Sequence, residues 1–423
     1  MASSFTNEAL LHGAMHGSMG RVKAALAAGA NVNGSPGLAC TPLVAAASVN
    51  EIEIVDFLIE QGADPDRAAQ CPGEMHIVPG DRALHLAALG GLVEIVFVLL
   101  ERGHADPNSR DKEGCTPLLM ACACACKRNR VEVTRLLLDA GADPALAEEE
   151  GNNALHVLAK FGHVDLLDMM YPKAPAALNS SSADGAMPLY DACHHGHERM
   201  VSRLLSLGAF QPTTGLTPDG PKLYPLAVAA MQGYVGVVRV LINEGMWAIG
   251  DVEAVPGALY MGIRYGQAKT VRLLLTVGGE NNRSTWSNGD IQGRYLLHYA
   301  TRYFWPGVVS VLLAAGANEA TRDWQGRVPR EEIGLDLDQE QLPMDRGKEV
   351  AIRRMLERGP AYRARSWAWP AAEADSGGSG DGGAVLSSAP ATPKAPPVSV
   401  RIFRPKSDRR FFGDVIGRYC EKN

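Results

Sequence analysis

A leucine returns along this chain at a nearly constant interval, at Leu11, Leu43, Leu84, Leu118, Leu155, Leu189, Leu226, Leu259 and Leu297. The steps are 32, 41, 34, 37, 34, 37, 33 and 38 residues. Such a period marks a repeat architecture, in which each unit is one supersecondary element too small to bury its own apolar face. Stacked neighbours bury it instead, and each leucine so covered contributes roughly 1.5–3 kcal/mol. The longer steps read as loop insertions, because the entropy of closing a loop grows only slowly with its length.

The residues around each leucine describe two helices. Thr41 and Thr116 stand where a side-chain oxygen would cap the first, with Pro42 and Pro117 in its first turn. Small pairs follow (Ala46–Ala47, Ala87–Ala88, Ala229–Ala230), as close helix approach requires. Downstream, apolar pairs four residues apart make the stripe of a second helix, as Ile54–Val55 with Leu58–Ile59 and Ile95–Val96 with Leu99–Leu100. Gly62, Gly141, Gly208, Gly245, Gly278 and Gly316 end that stripe where a left-handed cap is expected.

Segments such as TPLVAAASVNEIEIVDFLIEQGADPD, RALHLAALGGLVEIVFVLLERGHADPN and TPLLMACACACKRNRVEVTRLLLDAGADP resemble the ankyrin repeat consensus, a TPLH tetrapeptide opening one helix and a V-x-x-LL-x-x-GA run closing the next. The resemblance implies an all-α solenoid of nine to ten helix–turn–helix repeats with hairpin loops projecting to one side. The solenoid is read over residues 5–334, its last, partial unit opening at DWQGRVPREEIG. Residues 335–370 are read as a flank with a capping helix, GKEVAIRRMLER, and Trp367 and Trp369 beside it. Residues 371–400 hold five Gly, four Pro and five Ser, which reads as a disordered linker. Residues 401–423 place Phe411, Val415 and Tyr419 at i, i+4 spacing and carry +4 of charge, a short basic amphipathic tail.

Some units depart from the pattern. The fifth ends in Tyr171-Pro172-Lys173 where Gly-Ala is usual, so its loop is expected to be irregular. The eighth lacks the TPLH opening and has Gly262 in place of Ala, so it is expected to be locally weaker. Long lead-ins precede the third (Ala68–Asp81) and the ninth (Asn281–Gln292, with Trp286).

Residues that suggest chemistry have plainer explanations. Cys122, Cys124 and Cys126 are spaced by two, unlike the CxxC of zinc sites, and Cys122 falls on a small-residue core position. His194, His195 and His197 surround a Gly turn with no evident fourth ligand. His85, His156 and His298 take the fourth TPLH position, where in this family the imidazole bonds neighbouring backbone. There is no nucleophile elbow and no phosphate loop. No enzyme activity, cofactor or metal is therefore expected.

The net charge of −6 argues against general nucleic-acid binding. No apolar run reaches the 18 residues of a membrane span, and the first residues lack the pattern of a signal peptide. Eight scattered cysteines in 423 residues read as reduced thiols. The chain is thus expected to be an intracellular, cytoplasmic or nuclear, monomeric protein. Weak contact of its basic tail with an anionic membrane remains open.

The resemblance implies a scaffold or adaptor that meets a protein or peptide at its hairpin tips and on the exposed face of the first helices. It maps Lys112, Glu113, Glu149, Glu150, Asp184, Gln292 and Trp324 to tips. On the face it puts Ser48, Lys160, Phe161, His194, His195, Gln232, Arg264, Tyr265, Arg302 and Tyr303. Aromatic and arginine side chains there have the composition of an interface hot spot, so Phe161, His194, His195, Gln232, Arg264, Tyr265, Arg302, Tyr303 and Trp324 are the expected protein-binding residues. The other reading is a substrate-recognition or regulatory subunit, for example of a ubiquitin ligase, attached through the C-terminal tail.

Overall fold

The computed structural model describes residues 2–35, 40–70, 80–124, 129–210, 224–245, 254–277, 296–323, 325–333 and 346–358. Nine helix pairs follow one another there: α1 (Ala2–Met15) with α2 (Met19–Ala27), α3 (Pro42–Ser48) with α4 (Ile52–Glu60), α5 (Ala83–Gly90) with α6 (Val93–Glu101), α7 (Pro117–Ala123) with α8 (Arg130–Asp139), and α9 (Ala154–Phe161) with α10 (Val164–Met170). The series continues with α11 (Pro188–His195) and α12 (Glu198–Ser206), α13 (Pro225–Gln232) and α14 (Val235–Asn243), α15 (Ala254–Arg264) and α16 (Ala268–Val277), and α17 (Leu296–Arg302) and α18 (Pro306–Ala314). No β-strand occurs among the described residues.

Each first helix packs on the first helix of the next unit, from α1 on α3 through α15 on α17, and each second helix does the same from α2 on α4 through α16 on α18. The result is a two-layered row of units whose core is continuous because each unit's apolar stripe meets its neighbour's. Leu43, Leu84, Leu118, Leu155, Leu189, Leu226, Leu259 and Leu297 are all buried in it, with Leu58, Leu99, Leu137, Leu204, Leu241 and Leu312 from the second helices.

Local chemistry sets the ends of the helices. The Thr41 hydroxyl accepts the Val44 N–H at 3.1 Å and the Thr116 hydroxyl the Leu119 N–H at 3.4 Å. Gly62, Gly141, Gly208, Gly245 and Gly316 follow the second helices with φ between +72° and +97°; Gly278 lies outside the described residues. His85, His156 and His298 each turn Nε2 to a carbonyl of the following unit, Cys115, Ala186 and Arg327, at 3.0–3.1 Å. The imidazoles are therefore inter-repeat staples, as the resemblance implied.

The first unit is one residue out of the register read from the sequence. Leu10 is fully buried and Leu11 only partly so. Leu10 precedes the left-handed Gly17 by seven residues, as Leu84 precedes Gly91. Two adjacent leucines made the pattern ambiguous, and packing against α3 selects the first.

The irregular units depart locally from the regular pattern. After α10 the chain forms a 3₁₀ helix, Pro175–Asn179, that buries Ala177 and Leu178 in place of the usual Gly-Ala cap. In the eighth unit Gly262 is buried against the second helix, where an added Cβ would stand 3.1 Å from Val271 Cγ2. The partial tenth unit is a 3₁₀ turn, Pro329–Glu332, in which the Glu331 carboxylate accepts the Val328 N–H at 2.9 Å. Helix α19 (Arg346–Glu357) packs on α18 and buries Ile352 and Leu356. The linker and tail read at 371–423 lie outside the described residues.

Candidate protein-binding face

In the fifth to ninth repeats the chain escapes the core where each first helix ends. Five and six residues past the repeat leucine stand Lys160 and Phe161, His194 and His195, Met231 and Gln232, Arg264 and Tyr265, Arg302 and Tyr303, all partly or fully exposed. Because the first helices pack side by side, these positions form two rows along one face. The first is largely basic and the second largely aromatic and polar, and no acid stands among the ten.

At the C-terminal end the rows merge into a cluster. The Tyr260 ring meets Tyr299 edge to face at 5.0 Å, and Tyr299 stacks on Tyr303 at 6.1 Å. The Tyr260 and Tyr303 hydroxyls share a hydrogen bond of 3.1 Å. Exposed Arg264 sits among these rings. Partial burial opposes its charge, but Tyr303, Tyr260 and Tyr265, with a hydrogen bond that the guanidinium donates to the Tyr260 hydroxyl, outweigh that and hold its proton more tightly than usual. The two adjacent repeats thus supply one cation framed by aromatic faces and phenol oxygens.

Further along, His194 stacks on Tyr190 at 6.0 Å and lies 3.3 Å from Gln232 Nε2 of the next unit. His195 Nδ1 donates to the Asp191 carbonyl at 2.9 Å, and His197 Nε2 to the Lys160 carbonyl at 2.8 Å. These bonds commit the imidazoles to holding the turn, and among the described residues no three His, Cys, Asp or Glu side chains gather where they could hold a metal ion. Phe161 leans on the core and stacks on His163 at 5.8 Å, apart from the tyrosine cluster.

Arg302 is used differently from the sequence reading. Its Nη1 points to the fully buried Glu332 carboxylate at 3.7 Å, which Arg327 also approaches at 2.6 Å. It anchors the partial tenth unit to α17 as well as flanking the face. Trp324 and Gln292 lie outside the described residues. Tyr260, Tyr299 and Tyr190 were missed in the sequence. They stand four residues before Arg264, Tyr303 and His194, and that helical spacing was the available signal.

The hairpin tips are built by carboxylates. Asp111 Oδ1 accepts the N–H groups of Glu113 and Cys115, the Glu148 carboxylate those of Glu150 and Asn152, and Asp323 Oδ1 those of Gln325 and Arg327, all at 2.8–3.0 Å. Successive tips are tied to one another, Glu149 N–H to the Glu113 carbonyl at 3.0 Å and Ala183 N–H to the Glu150 carbonyl at 2.7 Å. Burial and then the charges of Asp111, Glu149, Glu148 and Glu150 raise the Glu113 carboxyl above the ordinary range.

The cysteines line the core. Cys40, Cys115, Cys122, Cys124 and Cys193 are buried and form no disulfide, and burial pushes the Cys40 thiol up to about 11 and those of Cys115, Cys122 and Cys193 higher still. Such thiols are poor nucleophiles. Cys126 lies outside the described residues.

Comparison with known proteins agrees with this geometry. Family profiles for the ankyrin repeat match residues 40–69, and for ankyrin repeats in three copies residues 70–147 and 123–215. The transient receptor potential cation channel subfamily A member 1 of Drosophila melanogaster is 26% identical over 278 residues, 56% of this chain and 22% of the channel. The ankyrin repeat and KH domain-containing protein mask-1 of Caenorhabditis elegans is 32% identical over 164 residues, 38% of this chain and 6% of that protein. The ankyrin repeat domain-containing protein SAT10 of Stachybotrys chartarum is 28% identical over 299 residues, 70% of this chain and 14% of that protein. The chain therefore spans less than a quarter of the length of these relatives. No helix among the described residues is long and apolar enough to cross a membrane. With the matched profiles, the TPLH-type helix starts and the stacked helix pairs in agreement, residues 40–215 of this chain are ankyrin repeats.

Proposed function

We propose that this chain is a non-enzymatic binding scaffold that takes a protein or an extended peptide on the first-helix face of its fifth to ninth repeats. The observation that carries this reading is the cluster of Arg264 with Tyr260, Tyr265, Tyr299 and Tyr303. The fold needs leucine and alanine from these helices, and nothing in the stacking calls for a cation ringed by aromatics at their open ends. Arginine and tyrosine at such positions carry disproportionate binding energy in protein interfaces. The run of Lys160, His194, Arg264 and Arg302 along the same face suits an occupant with acidic residues. Gln232, His195 and Phe161 extend the surface toward the middle of the stack. The buried, high-pKa cysteines suit a reducing, intracellular setting.

The test is a photo-crosslinking residue placed at Tyr265 and, separately, at Phe97 on the outer helix α6. A partner captured from position 265, not from 97, and lost in an Arg264→Ala/Tyr265→Ala variant of unchanged melting temperature meets the expectation. Equal capture from both positions, or capture that survives the double substitution, rejects this face. Arg302 is left intact in this test, since it also holds the buried Glu332.

A further inference from the structure

The residues on either side of the long step between the second and third repeats are tied to each other. The Ala69 N–H donates to the Asp81 carbonyl and the Gly80 N–H to the Ala69 carbonyl, both at 2.8 Å. Beside that tie lies a cavity of about 530 Å³ whose lining includes Arg67, Arg82, Arg110 and Lys112, with Asp111 as its acid. Four cations around one cavity stand out in a chain of net charge −6.

The guanidinium groups of Arg82 and Arg110 are held by backbone carbonyls. Arg82 Nε donates to the Asp66 carbonyl at 2.8 Å and its Nη1 to the Arg110 carbonyl at 2.5 Å. Arg110 Nη1 donates to the Ala147 carbonyl at 3.0 Å. Carbonyl partners fix the orientation of a guanidinium and leave its remaining donors for a ligand, while Asp66 and Asp111 balance part of the Arg82 charge. The carboxylates close by also accept backbone N–H groups. Asp111 is buried with Oδ1 on the Glu113 and Cys115 N–H groups, and Asp66 accepts the Asp106 N–H at 3.1 Å.

We propose that this cavity binds a phosphate monoester. A phosphoryl group carries close to two charges and three acceptor oxygens, so it can answer donors arriving from several positions of the chain at once. A carboxylate offers two oxygens in a single plane. The volume exceeds what a bare ion fills and falls within the range of small-ligand sites, about 300–1,000 Å³, leaving room for the group that bears the phosphate. The site draws on the second to fourth repeats and is independent of the tyrosine-rich face.

The experiment is calorimetric titration of the full chain at low ionic strength with free O-phospho-L-serine, a phosphoserine-containing pentapeptide, and a glutamate-containing peptide of equal charge. The variant is Arg67→Ala/Lys112→Ala, which leaves the structural bonds of Arg82 and Arg110 in place. The expected result is binding of at least one phosphoserine probe, weakened about tenfold or more in the variant and in 0.5 M salt, with no change in the melting temperature of the unliganded protein. Tighter binding of the free amino acid assigns the site to a small phosphorylated molecule, and tighter binding of the peptide to a modified protein segment. No binding of either phosphate probe, equal binding by the variant, or equal affinity for the glutamate peptide would overturn the proposal.

Discussion

Trp305 lies directly over Gly266. A Cβ built on this glycine would come within 2.6 Å of the indole ring, and the indole N–H donates to the Arg264 carbonyl at 3.1 Å. One aromatic side chain thereby closes the eighth repeat onto the ninth and steadies the helix end that presents Arg264. His197 and Gln267 make the same reach to the carbonyls of Lys160 and Met231 in earlier units.

Gly266→Ala is expected to destabilise the eighth and ninth repeats by about 2–4 kcal/mol, since it adds strain at φ +74° to a collision with the ring. Gly208→Ala provides the comparison. Its φ is +87° but nothing lies within 4 Å of the added Cβ, so a cost of about 1–2 kcal/mol is expected. Amide hydrogen exchange resolved by repeat distinguishes the two; equal effects would remove the role assigned to Trp305.

Acid should weaken the stack through two histidines. Burial above all lowers both His85 and His156 to about 4, from an ordinary value of 6.5. Between those values the unfolded chain takes up a proton that the folded chain refuses. Their stabilisation is complete above pH 6.5 and is lost as the pH falls toward 4, by up to about 3 kcal/mol for each. A His85→Gln/His156→Gln variant should lose less stability than the parent between pH 7 and pH 4.5 in urea titrations. An identical pH dependence would show that neither imidazole is the source.

Glu332 is a fully buried carboxylate answered by Arg327 and Arg302. Glu332→Gln leaves both guanidinium groups without that countercharge and is expected to cost about 2–4 kcal/mol at the C-terminal end of the stack. Faster amide exchange in α17 and α18, with α3 to α6 unaffected, is the expected signature. A uniform loss along the chain would mean that the repeats are coupled far more tightly than nearest-neighbour stacking predicts.

Helix α19 covers the last second helix through Ile352, fully buried, and Leu356. Ile352→Ala should cost about 2–4 kcal/mol, read as early melting of α18. Val350, 44% exposed on the same helix, should tolerate alanine at nearly no cost. Similar effects from both would mean that α19 does not seal the stack.

The repeat, its helix pair, the threonine caps, the turn glycines and the histidine staples were all legible in the sequence, because each depends on residues a few positions apart or on one spacing repeated many times. Even the disturbed fifth and partial tenth units announced themselves in Tyr171-Pro172-Lys173 and in VPREE. What the sequence left ambiguous was decided across the interfaces between repeats. Leu10 and Leu11 are equally apolar, and only contact with the next unit selects Leu10. Tyr260 and Tyr303 are 43 residues apart, yet stacking puts their hydroxyls at 3.1 Å. Arg302 looked like a surface cation until the tenth unit folded Glu332 beneath it. Arg67, Arg82 and Arg110 belong to separate loops and share a cavity only once the units are in place. A period in sequence specifies what each unit is, whereas the offset between neighbouring units determines which side chains meet, and that offset is set by packing.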